Sequence, residues 1–110
     1  MFQYRQVLAH HASTVLSDLG TTAEDVAFSL DGYGARGRPN DSSGNPVTLY
    51  LHAVMMADRR VHRVDVTTDG VHVWATRGRR PIVVPLTAPV SEFMFLFDAG
   101  YFPWLSISPP

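Results

Sequence analysis

The sequence predicts an α+β fold in which a three-stranded antiparallel β-meander packs against about four helices. Three observations carry this prediction. Apolar residues recur at helical spacing over residues 7–19. The period drops to two after Val61, with an Asp-Gly pair in the middle. Two prolines bracket the short run Ile82-Val83-Val84 ahead of a last capped helix.

The elements follow in order. Val7, Leu8, Ala12, Val15, Leu16 and Leu19 fall on one helical face, and Gly20 stands where that helix stops. Thr22 with Asp25 resembles a capping box with a shorter acid. Val26, Ala27 and Leu30 then form a second, brief helix to about Asp31, with Gly32 as its stop. Asn45 and Pro46 are the N-cap and first-turn proline of a third helix that carries Leu49, Tyr50, Ala53, Val54 and Met56 and ends near Asp58.

In the hairpin, Asp69 and Gly70 read as a two-residue type I′ turn, which pairs Thr68 with Val71, Val66 with Val73 and Val64 with Ala75 on one apolar face. Arg63, Asp65 and Thr67 share the other face with His72, Trp74 and Thr76. Pro81 and Pro85 keep the third strand short and at an edge. Thr87 caps a final helix with Val90, Phe93, Met94 and Phe97 on one stripe and Gly100 beyond its end. Residues 101–105 fold back as an apolar lid, so that Phe93, Phe97 and Trp104 cover the core. A winged helix-turn-helix is the alternative, because three helices followed by a hairpin have its order and Leu19 to Val26 has the spacing of its turn.

A chain of 110 residues with 45% hydrophobic content supports one core, hence a single globular domain over 1–110 with a flexible Gly/Ser/Asn-rich loop at about residues 32–45. Without cysteine there is no disulfide framework, thiolate metal site or thiol nucleophile. Arg5, His10, His11 and Asp18 interrupt the first twenty residues, and Glu92, Asp98 and Pro103 interrupt the apolar C-terminal run. Neither a signal peptide nor a membrane span is expected, and the cytoplasm is the expected location. The net charge of −1 opposes the broad basic field of non-specific nucleic-acid binding. All nine basic residues are arginine, the habit of a GC-rich coding genome.

The stretch from Gly32 to Pro46 holds two familiar patterns. Gly32, Gly34 and Gly37 spell G-x-G-x-x-G, and Arg36-Gly37-Arg38-Pro39 spells the core of a minor-groove hook. The dinucleotide pattern needs a strand before it and a helix start after it. Here the glycines follow a helix, so a stop and a flexible crossing explain them. The hook lacks basic flanks, since Asp31, Asn40 and Asp41 surround it. A second turn, Arg77-Gly78-Arg79-Arg80, keeps a DNA-binding alternative open through Arg36, Arg38, Arg77, Arg79 and Arg80, provided folding brings the two turns together. For a winged helix, Glu24 and Asp25 would face phosphate at the start of the second helix, which repels.

Histidines offer little chemistry. His10 and His11 are adjacent and project about 100° apart on a helix, so they do not share an ion. His72 opposite Asp65 could tune a proton transfer, but no nucleophile or oxyanion motif accompanies the pair. No enzyme activity, cofactor or metal is expected. The remaining reading is a non-enzymatic interaction or regulatory protein. Its contact residues are Arg63, His72 and Trp74 on the outer hairpin face, and its partner is another protein, with a second copy of the chain as a further candidate.

The chain also carries a Gly-x-x-Gly after a short helix, Pro46-Val47-x-x-Tyr50-Leu51, a valine-rich hairpin, a proline, and Phe97-Asp98-Ala99-Gly100-Tyr101-Phe102-Pro103-Trp104-Leu105. Over roughly residues 22–105 this resembles a small family of actinobacterial and actinophage proteins that carries no assigned activity. In that family the third helix often starts Cys-Pro-Leu-Ala. Here it starts Asn45-Pro46-Val47-Thr48, which keeps the cap and removes the thiol. The resemblance implies a coherent fold and an origin compatible with a phage-encoded protein acting on a host protein.

Overall fold

The computed structural model describes residues 4–41, 43–75 and 80–107. Its order is α1 (Tyr4–Asp18), α2 (Ala23–Gly32), α3 (Pro46–Met55), β1 (Val61–Thr67), β2 (Gly70–Ala75), β3 (Ile82–Val84) and α4 (Ala88–Asp98), closed by a short 3-10 turn, Pro103–Leu105. The strands form one antiparallel sheet in the order β1-β2-β3, so the fold is α+β, a meander with four helices. Among the described residues no helix is long and apolar enough to cross a membrane.

Local devices set the helix boundaries. The Thr22 hydroxyl accepts from the Asp25 N–H at 3.0 Å, while the Asp25 carboxylate takes the neighbouring Thr21 hydroxyl instead of closing the box onto Thr22. Asn45 is buried, and its Oδ1 accepts from the Val47 N–H at 2.9 Å, which starts α3 directly ahead of Pro46. α3 ends at Met55, a little before the expected Asp58. The stop of α2 is Gly34 and not Gly32. Gly34 has φ +74°, its N–H donates to the Asp31 carbonyl, and the Ala35 N–H reaches back to the Leu30 carbonyl, the paired bonds of a Schellman motif. Gly32 stays helical because nothing in its own position demands a left-handed backbone.

The hairpin register differs from the sequence reading. The pairs are Val66 with Val71, Val64 with Val73 and Thr67 with Gly70, so the loop is Thr68-Asp69. Neither loop residue has a positive φ, which excludes type I′. The reason lies one strand away. Gly70 has φ +140°, and a Cβ there would collide with the Val84 carbonyl oxygen, so its glycine serves the approach of β3 and is the first residue of β2. The slip is two residues, which leaves the two faces unchanged. Thr76 lies outside the described residues.

A bulge between Val61 and Arg63 turns both His62 and Arg63 outward and leaves Val61 and Val64 inward. α1 packs on β2 and β3, and α3 packs on β1. Together they seal Val61, Val64, Val66, Val71, Val73 and Ala75 against Leu8, Ala12, Leu16, Leu51 and Met55. α2 and α4 pack on each other. Val7 is turned to solvent, being one step off the Leu8-Ala12-Leu16 stripe.

The lid also differs in detail. Leu105 is fully buried and Phe102 stacks on Phe93, whereas Trp104 is 57% exposed. Phe102 has φ +57°, which turns the chain so that Leu105 enters the core and Trp104 is left outside. The chain then pairs with the loop after α2: the Gly37 N–H donates to the Leu105 carbonyl at 2.8 Å and the Ile107 N–H to the Gly37 carbonyl at 2.9 Å. A Cβ on Gly37 would collide with the Gly44 carbonyl, so close packing accounts for this third glycine of the motif. The same loop is held by Asn40, whose N–H donates to Asp98 at 2.8 Å, and by Asp41, which accepts from Ser43 and Gly44.

Candidate functional site

The sheet face opposite the core brings together the three residues singled out in the hairpin. Arg63 pairs with Trp74 across the strands and Asp65 with His72, and Val83 of β3 continues the second row. The Arg63 guanidinium lies 4.8 Å from the centre of the Trp74 ring, while its Nη2 donates to Asp65 at 2.7 Å. The His72 ring stacks at 6.0 Å from Trp74 and shares a 3.1 Å hydrogen bond with the Thr67 hydroxyl.

These contacts make a planar platform. Trp74 and His72 are half-buried by their neighbours, and Arg63, Thr67 and Val83 are exposed. The face has an aromatic centre, a cation held over it and an apolar rim, a mixture suited to contact with another macromolecule. Within it Asp65 is engaged by Arg63 and the His72 Nε2 by Thr67. Among the described residues no group of three or more His, Asp or Glu side chains could hold a metal ion.

Two clefts flank α3. One, of about 380 Å³, runs between α3 and β1 and is bounded by Thr48, Leu49 and His52 against Arg63, Val64 and Asp65. The other, of about 370 Å³, lies between Tyr33, Arg36, Leu49, Tyr50 and Ala53. There Tyr33 and Tyr50 stack at 4.6 Å. Burial, then a hydrogen bond and charge proximity from Tyr33, push the Tyr50 hydroxyl up to about 12. No signal in the sequence pairs these two tyrosines, which come from different elements.

The arginines divide. Arg36 donates to Asp31 at 2.9 Å and to the Ala35 carbonyl, so its guanidinium is occupied at the end of α2. Arg38 is exposed, with its backbone N–H on the Gly44 carbonyl, next to Ser43, which borders the cleft beside Asp65 to Thr67 at the hairpin-turn end of the sheet. Arg80 is exposed beyond the opposite end of β2, where its carbonyl accepts from Arg5 at 3.2 Å. Among the described residues no hydrogen bond or ion pair joins Arg36 or Arg38 to Arg80. Arg77 and Arg79 lie outside the described residues.

A different group gathers instead. The start of β1, the end of β2 and the start of β3 meet at one end of the sheet, since Val61 pairs with Ala75 and Val73 with Ile82. Arg59 and Arg60 precede β1, Arg80 precedes β3, Arg5 bonds to Arg80, and Arg63 and Trp74 are the next pair inward. Arg60 grips Asp58 with Nε at 3.0 Å and Nη2 at 2.7 Å, and these bonds hold the Asp58 carboxyl down at about 2. The sequence shows Arg59 and Arg60 plainly. Their relevance follows only from the meander, which returns the chain to the same end.

No protein-family model, curated protein or solved structure matches the chain.

Proposed function

We propose that this protein is a non-enzymatic interaction module that recognises a protein partner with the open face of its sheet, as a binding or regulatory component. The observation that carries this reading is Trp74, partly exposed beneath Arg63 on the sheet face opposite the core. Tryptophan and arginine are among the residue types most enriched at the energetic centres of protein interfaces. The engaged states of Asp65 and His72 support a binding role over a catalytic one.

Paired affinity capture tests the reading. Lysate of the source organism is passed over the wild-type chain, Trp74→Ala and Trp104→Ala. The Trp74→Ala bait loses a partner that the other two retain. Equal capture by all three baits contradicts the assignment of this face.

A further inference from the structure

We infer that the partner presents an acidic segment, carboxylates flanking an apolar side chain, which docks with its apolar group on Trp74 and its acids on the arginines at the adjoining sheet end. This deepens the docking-face reading and rests on it. The argument begins with charge. Arg59, Arg60 and Arg80 stand just ahead of the strand starts at the sheet end where Arg63 pairs with Trp74, and Arg5 reaches the Arg80 carbonyl from α1, while Glu24, Asp25, Asp31, Glu92 and Asp98 belong to α2 and α4. The chain is close to neutral overall and polar in its distribution.

The state of the individual arginines identifies the complementary group. Arg60 and Arg63 already hold carboxylates, Asp58 at 2.7 Å and Asp65 at 2.7 Å. Arg59 has no carboxylate partner among the described residues and is exposed, and Arg5 and Arg80 are joined only through a backbone carbonyl. Three guanidinium groups are thus left without an acid, each a planar fork that matches a carboxylate. A polynucleotide fits less well. Its affinity grows with the number of phosphates neutralised along a track, and here two fixed carboxylates sit among the described cations on a chain of net charge −1. A protein segment needs only two or three acids and gains the rest of its contact from the aromatic platform.

The test uses the full chain and three labelled probes: a short peptide with glutamates flanking a Leu-Phe pair, the same peptide with glutamine in place of each glutamate, and a thymidine oligonucleotide of equal length. Binding is read by fluorescence anisotropy and by backbone amide shifts. The acidic peptide is expected to shift the amides of Arg59 to Arg63, Trp74 and Arg80. It should bind at least about tenfold more tightly than the glutamine peptide, and Arg59→Gln with Arg80→Gln should remove that margin. Circular dichroism melts confirm that the double variant remains folded. The inference is overturned by equal binding of the two peptides, by shifts confined to another surface, or by tighter binding of the oligonucleotide. If Trp74→Ala loses its captured partner while the double arginine variant keeps it, the docking face stands and the acidic partner falls.

Discussion

The Arg63 guanidinium and the Trp74 indole lie 4.8 Å apart as directly paired residues on adjacent strands. Two features make the pairing. Alternation from the buried Val64 turns Arg63 outward, and Asp65 on the same strand steers its Nη2 from 2.7 Å. The cation therefore covers the ring without closing it off from solvent.

Arg63→Ala uncovers the indole. Because the contact is largely exposed, the stability cost is about 0.5–1 kcal/mol, measured by urea denaturation. Acrylamide quenching of Trp74 rises in the same variant. A large loss of stability with unchanged quenching would show that Arg63 supports the fold and not the platform.

Gly70→Ala is far more damaging. The backbone there has φ +140°, and the added Cβ meets the Val84 carbonyl, so β3 must move or the hairpin must re-register. The expected loss is about 3 kcal/mol or more. Gly32→Ala, at a helical position with open space around it, is the control and is neutral or mildly stabilising.

This contrast shows what was legible in the sequence. Helix caps at Thr22, Asn45 and Thr87, the valine face and the proline-bounded edge strand are local matters, and they read directly. The choice between Gly32 and Gly34 as helix stop, or between the turn and the third strand as the use of Gly70, depends on neighbours that are distant in sequence. Trp104 and Leu105 are both apolar, and only the left-handed backbone at Phe102 decides which enters the core. At the candidate site, Arg63, His72 and Trp74 follow from strand alternation alone. Arg5, Arg59 and Arg60 do not, because the closure of the meander assembles them.

Acid titration provides an independent check. Hydrogen bonds from Arg60 hold the Asp58 carboxyl at about 2, against an ordinary value of 3.8, so the folded chain binds fewer protons there than the unfolded chain. The contribution is complete above the ordinary value and is lost as the pH falls through about 2. Asp58→Asn is expected to flatten that part of the stability curve, measured by urea denaturation across the acid range, and to leave stability near neutrality only slightly lower. An unchanged acid limb would show that Asp58 does not carry it.

The central claim is that Trp74 is an accessible anchor on a free sheet face. Acrylamide quenching of the Trp104→Phe chain, in which Trp74 is the sole tryptophan, tests it most directly. The expected result is quenching intermediate between a buried and a free indole in the isolated monomer, falling when a partner retained by the wild-type bait is added. A quencher-resistant Trp74 in the isolated monomer contradicts the account.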